Sequence, residues 1–164
     1  MKKLCLIRHA KSSWKYPELD DFERPLNARG KKDAPLMGKV LIKHKYHSDM
    51  ILSSPATRAA FTARILAVII NFPEDNIYFH NHLYEADTSK MMSIIRETPE
   101  NVNNLILVGH NPGLTSLANT LADHFVSNIP TCGIYCMKLT VTSWKELSEK
   151  SGKLIFFEYP KKYY

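Results

Sequence analysis

Lys3-Leu4-Cys5-Leu6-Ile7-Arg8-His9-Ala10 opens with an apolar run of strand length that ends abruptly on a cation and an imidazole. A short continuous apolar run, rather than strict alternation, is what a strand buried on both faces requires. Similar runs return at Met50–Ser53 and at residues 76–79, 104–108, 133–140 and 153–159. Between them, helical periodicity predicts helices over residues 28–46, 56–70, 89–98 and 114–125. Strands alternating with helices predict an α/β fold of three layers, with helices on both faces of a mostly parallel central sheet of about five to six strands. Only a short loop separates the last two strands, so an antiparallel edge is expected there. Pro35, inside the first helical stretch, predicts a kink or a later helix start.

At ~150 residues per domain, the 164-residue chain is expected to be one domain over 1–164. With 45% hydrophobic and 23% charged residues, its composition is that of an ordinary globular protein and argues against extended disorder. The longest apolar run, around residues 65–70, is far short of the ~18 residues a membrane helix needs. The N-terminal apolar stretch stops at Arg8, too early for a signal-peptide core. A soluble, cytoplasmic protein without a membrane partner is expected. Cys132 and Cys136 offer half a zinc site with no second pair to complete it, so burial of Cys5, Cys132 and Cys136 as small apolar residues is expected. His80-Asn81-His82 is a three-residue match that chance supplies often. Neither a metal nor a cofactor is expected.

The net charge of +6 is unevenly placed. Residues 1–45 hold twelve Lys/Arg against five Asp/Glu, and the remainder holds ten against eleven. A basic first quarter suits an anionic substrate, although Lys39, Lys43 and Lys45 read as a solvated helix face. Only the tail, with Tyr159, Lys161, Lys162 and Tyr164, interleaves basic and aromatic residues, so no nucleic-acid partner is expected.

In open α/β sheets, ligands sit outside the carboxyl ends of the strands. The residues just past each strand therefore carry the functional reading. Arg8-His9-Ala10-Lys11-Ser12 comes after the first, Ser53-Ser54-Pro55-Ala56-Thr57-Arg58 after the second, Tyr84-Glu85 after the third and Gly109-His110-Asn111-Pro112-Gly113 after the fourth. Two histidines, two arginines and a carboxylate thus converge on one sheet edge. Ser54-Pro55 and Asn111-Pro112 each have the form of an N-cap followed by proline at the first helical position. Taken singly, each pair would mean capping alone; together they aim two helix N-termini at a phosphate-sized anion. No Gly-x-x-x-x-Gly-Lys loop and no Gly-x-Gly-x-x-Gly comes after a strand, and no cysteine precedes a phosphate loop ending in arginine. A histidine nucleophile remains.

Leu6-Ile7-Arg8-His9-Ala10-Lys11-Ser12-Ser13-Trp14, with Arg24-Pro25-Leu26 and Arg29-Gly30, resembles the N-terminal signature of the histidine phosphatase (phosphoglycerate-mutase-like) superfamily. Ser53-Ser54-Pro55-x-x-Arg58-Ala59-x-x-Thr62-Ala63 and Val108-Gly109-His110-Asn111-Pro112-Gly113 resemble its second and third motifs. The match is to the short SixA-type phosphohistidine phosphatases and spans residue 3 to about residue 125, in the order their sheet core requires. The resemblance implies a phosphoglycerate-mutase-like fold and a covalent mechanism without metal. His9 would attack phosphorus, while Arg8, Arg58 and His110 hold the equatorial oxygens. Glu85 would protonate the leaving group, and Ser12 and Asn111 would contact substrate. Ala10 stands where many relatives have glycine. Lys15 stands where mutase-like members have asparagine, a contact that Ser12 or Lys11 would replace.

The resemblance implies phosphatase action on a phosphorylated protein, with phosphohistidine as the leading substrate and inorganic phosphate as product. Two alternatives stay open: a phosphomonoesterase on a small metabolite or nucleotide, and a phosphoprotein-binding module without turnover. The joint presence of Arg8, His9, Arg58 and His110 weighs against the last, because pure binding needs no nucleophile.

Overall fold

In the computed structural model, which describes residues 1–164, β1 (Lys3–Arg8) lies inside a six-stranded sheet. It pairs parallel to β4 (Asn104–Gly109) on one side and antiparallel to β5 (Ile134–Leu139) on the other. β2 (Met50–Ser53) pairs parallel to β4 and to β3 (Ile77–Phe79), and β6 (Gly152–Glu158) closes the far edge antiparallel to β5. The order is β3-β2-β4-β1-β5-β6. The parallel strands therefore deliver their carboxyl ends to one edge, and the antiparallel pairings are confined to β5 and β6.

Period-two alternation divides each central strand between two cores. Leu4 and Leu6 of β1, with Leu105 and Leu107 of β4, face a core completed by α3 (Thr88–Arg96) and α4 (Gly113–Leu121). Cys5 and Ile7, with Ile106 and Val108, face α1 (Ala28–Lys43) and α2 (Thr57–Ile69). Full burial of one such Leu or Ile contributes about 1.5–3 kcal/mol, so one run of residues stabilises both sides. All three cysteines are buried free thiols, and Cys5 faces Cys136 across the β1–β5 ladder. Lys39, Lys43 and Lys45 lie exposed.

Helix limits differ from the sequence expectation in ways with local causes. α1 starts at Ala28, where the Asn27 side chain accepts from Gly30 N, and runs through Pro35. Neither a later start nor a break is seen, because proline removes only the bond to the carbonyl of Lys31, an exposed residue whose carbonyl water can satisfy. The helix stops at Lys43, where Lys45 adopts φ 56° and Tyr46 N donates back to the Leu41 carbonyl at 3.0 Å. α4 ends at Leu121 rather than near residue 125, because Asn119 captures both the N–H and the carbonyl of Val126. β3 starts at Ile77, since Glu74–Asn76 forms a 3-10 turn.

Both proposed proline caps need correction. The N-cap of α2 is Ala56, without a side-chain bond, and Ser54 Oγ accepts from Ala56 N at 3.2 Å. The N-cap of α4 is Pro112, and Asn111 Oδ1 reaches Thr115 N, one turn further in, at 3.1 Å. In both places the turn leaving the strand takes one or two residues more than a cap at the strand end allows.

Candidate active site

Register places the two histidines side by side. Arg8 of β1 is opposite Gly109 of β4, and His9 N donates to the Gly109 carbonyl at 3.1 Å. The rings of His9 and His110 leave the sheet edge together, with centroids 5.2 Å apart. His9 is 8% exposed and His110 9%. Ser54 completes the edge from β2, its N–H donating to the Val108 carbonyl at 3.0 Å and its hydroxyl 2.7 Å from His110 Nε2.

His9 Nδ1 is 2.7 Å from the Ala10 carbonyl, which can only accept. Nδ1 therefore carries the proton, and Nε2 of the neutral ring keeps its lone pair. Burial, helped by the positive side chains of Arg58 and Arg8 and by His110, lowers His9 to about 3 against the pull of the Ala10 bond. Burial and the charges of Arg58 and Arg8 lower His110 to about 4. Both rings are neutral at pH 7. Thr62 ties the His9 turn to α2: its hydroxyl accepts from Ala10 N at 2.9 Å and donates to the Arg58 carbonyl at 2.7 Å.

Arg8 donates Nη1 to the Ile129 carbonyl at 3.1 Å, and burial lowers its pKa. Its Nε has no hydrogen-bond partner; nor does His110 Nδ1. Apart from Thr98 Oγ1, these are the only unpartnered buried side-chain nitrogen or oxygen atoms in the chain, and they lie at one strand edge. Arg58, in the first turn of α2, is 6% exposed and donates to Asp21 through both terminal nitrogens. Half-buried Arg8 and buried Arg58 and His110, with polar atoms left over after their contacts within the chain, favour an oxyanion of phosphate geometry.

The remaining candidates fall out differently. Ser12 is buried, and its hydroxyl accepts from Arg24 Nη2. Asn111 uses its amide within the chain, donating to Asn128 Oδ1 and the Ile129 carbonyl and accepting from Thr115. Glu85 is exposed, sits at φ 59°, and lines a cavity of 330 Å³ together with His110, Asn111 and Gly113. Lys11 and Lys15 are exposed. No group of three or more His, Cys, Asp or Glu side chains could hold a metal ion, and no helix is long and apolar enough to cross a membrane.

Sequence reasoning missed three residues of this edge. Asp21 bonds Arg58, Arg24 and Tyr84; Arg24 stood in the N-terminal motif without a role; and Tyr84 stands edge-on to His110 at 5.6 Å. The only signal for Asp21 was its spacing three residues before Arg24, one turn of a 3-10 helix.

Three layers around a mostly parallel sheet, with paired histidines and arginines at its strand ends, define a phosphoglycerate-mutase-like α/β fold. The chain matches a structure of the protein histidine phosphatase SixA complexed with tungstate at TM-score 0.83 and 20% identity, covering 98% of each chain. It matches SixA from Agrobacterium tumefaciens at TM-score 0.80 and 26% identity, over 97% of this chain and 99% of that one. An uncharacterised chloroplastic protein of Arabidopsis thaliana is 31% identical over 160 residues, 92% of this chain and 72% of the plant protein. The model of the histidine phosphatase superfamily (branch 1) matches residues 4–105, and the chain belongs to that superfamily. It is a hydrolase of the phosphatase class, SixA-type in architecture.

Proposed function

We propose that the chain hydrolyses protein phosphohistidine through a phosphorylated His9, a route that draws on side chains alone. The observation that carries this reading is the Nδ1 bond of His9 to Ala10, which leaves Nε2 as a neutral, unprotonated nucleophile. Nε2 attacks phosphorus as the P–N bond breaks, and the departing ring, protonated on its other nitrogen in the substrate, takes the electron pair and leaves as neutral imidazole. Arg8 Nε, Arg58 and His110 Nδ1 take the equatorial oxygens, where charge is spread during transfer. In this reading the Ser54 hydroxyl, 2.7 Å from Nε2 of His110, donates to it, which puts the single proton of that ring on Nδ1, a donor suited to an oxygen. Water then attacks phospho-His9 and frees inorganic phosphate. Ser12 and Asn111 would shape the wall around the bound group.

The substrate class rests on the leaving group. Imidazole, with a pKa near ~6.5, departs with far less acid assistance than an alkoxide. Glu85, the candidate acid, is exposed at the cavity rim with no side-chain partner in the chain, which suits a reaction in which protonation matters little. The SixA neighbour, described as a protein histidine phosphatase complexed with tungstate, agrees with this reading.

A phosphomonoesterase is the second reading, favoured by one observation. Phosphoserine phosphatase 1 of Hydrogenobacter thermophilus is 39% identical over 89 residues, 50% of this chain and 40% of that protein. Single-turnover rates on a phosphohistidine peptide and a phosphoserine peptide, for wild type and Glu85→Gln, separate the two. The expected outcome is faster turnover of phosphohistidine, with Glu85→Gln within about tenfold of wild type on it and about 10²–10⁴ slower on the phosphoester. Faster wild-type turnover of phosphoserine would make the second reading the right one.

A further inference from the structure

The loop after β1 carries contacts that the phosphoryl transfer does not use. Asp21, in the 3-10 turn Asp21–Glu23, meets Arg58 twice: its main-chain carbonyl accepts from Nη1 at 2.5 Å and its Oδ2 from Nη2 at 3.0 Å. The same Oδ2 accepts the Tyr84 hydroxyl at 2.7 Å, and Oδ1 accepts from Arg24 Nη1 at 3.0 Å. Arg24 continues the chain of contacts, donating Nη2 to Ser12 Oγ and Nε to the Ser13 carbonyl, under the ring of Trp14 at 3.3 Å. The Arg24 and Arg58 side chains are 10% and 8% exposed, against 51% for Asp21. Two enclosed cations are thus bridged by one carboxylate at their rim.

Two roles fit a carboxylate on a clamp arginine: an internal anion that competes with substrate, or a holder that fixes the fork. The contact pattern favours the holder. A competing carboxylate would set both its oxygens on the fork, as phosphate does. Here one of the two acceptors is a peptide carbonyl, which cannot leave without moving the loop. Asp21 also takes one proton from each terminal nitrogen, leaving Nε–H and two further N–H groups of Arg58 for an oxyanion. Burial raises the Asp21 carboxyl, but Tyr84, Arg58 and Arg24 outweigh it and bring it to about 2, so it remains a fixed charge rather than a proton donor.

We infer that Asp21 is a positioning residue for the anion clamp: its carboxylate and carbonyl hold the Arg58 fork and, through Arg24, join it to Ser12 on the His9 loop. The inference rests on the phosphatase reading, in which Arg58 grips the transferred group. The Tyr84 bond extends the same support to the ring that stands against His110.

A double-mutant cycle tests it, reading vanadate affinity and kcat/KM on p-nitrophenyl phosphate, with thermal melting as the fold control. Asp21→Asn keeps an acceptor and the shape; in the Arg58 background it weakens both quantities about tenfold, and Asp21→Ala about 10²-fold. Asp21→Glu recovers part of the loss. In the Arg58→Lys background the same changes cost less than about threefold, because lysine has no planar fork to hold. Should Asp21→Ala fail to fold, the Asn and Glu variants carry the cycle. Tighter vanadate binding or unchanged rates in Asp21→Asn overturns the inference, as do equal losses in both backgrounds. Vanadate affinity that depends on Arg58 but not on Asp21 refutes the positioning role alone. Affinity indifferent to Arg58→Lys refutes the clamp, and the phosphatase chemistry built on it falls as well.

Discussion

The two ends of β1 treat buried charge in opposite ways. Just before the strand, Lys2 is 3% exposed, and its ammonium donates to the Glu100 carbonyl at 2.6 Å, the Val102 carbonyl at 2.9 Å and Asn103 Oδ1 at 3.2 Å. Three donors meet three acceptors, with the Trp144 ring 5.6 Å from the nitrogen. At the far end, half-buried Arg8 spends one N–H on Ile129 and leaves its buried Nε unpartnered, as is His110 Nδ1 at the same strand edge. An unmet buried donor costs about 1–3 kcal/mol, so such groups persist where a ligand, not the fold, supplies the acceptor. Burial alone does not separate a structural cation from one that grips a substrate; unspent donors do.

The largest break in this comparison comes at the far end. His9→Ala abolishes phosphate release from every phosphorylated substrate while melting as a folded protein, measured by steady-state phosphate release and calorimetry; the Nε2 nucleophile has no substitute within the strand. Unchanged turnover in the folded variant removes the covalent route. At the near end the effects exchange places. Lys2→Ala removes the cation that joins the Glu100 and Val102 carbonyls to Asn103, leaving Val102 only its bond from Trp144 Nε1, and lowers unfolding free energy by about 1–3 kcal/mol in urea titrations, with kcat/KM unchanged. A loss of kcat/KM without a loss of stability would erase the distinction between the two ends.

A smaller effect sharpens the contrast through pH. His9, held at about 3, and His110, at about 4, stay neutral in the fold, whereas the unfolded chain protonates them near ~6.5. Between those values the unfolded state binds more protons, so stability rises with pH across the window and is lost as pH falls from about 6.5. Asp21 contributes in a lower window, because its depressed carboxyl supports the fold above ~3.9 and loses that support as pH falls through about 2. Urea midpoints between pH 7 and pH 4.5 therefore decline in wild type and decline less steeply in His9→Ala, while Lys2→Ala shifts the whole curve without changing its slope.

The core and the strand ends were legible in the sequence because uninterrupted apolar runs such as Leu4–Ile7 leave few alternatives to a doubly covered strand. His9 and His110 come directly after such runs, so their neighbourhood came with the topology. Ser54 read as a cap because Ser-Pro has that form, yet α2 begins at Thr57, and the hydroxyl accepts from Ala56 N while it also meets His110. Pro35 read as a breaker, although one lost hydrogen bond at an exposed turn leaves α1 intact. Asp21 was out of reach for another reason: the loop that brings it to Arg58 has no periodicity, and the contact is made only when α2 and the 3-10 turn pack together. Tyr84 joined the site by the same closure.

The central claim is that His9 Nε2 takes the phosphoryl group. A quenched single-turnover reaction with radiolabelled phosphohistidine peptide, followed by peptide mapping, tests it directly. The account predicts acid-labile, base-stable label on the peptide carrying His9, appearing as fast as the leaving group departs and absent from His9→Ala. Label on another residue, or phosphate released at the same rate with no protein-bound label at any time, would contradict it.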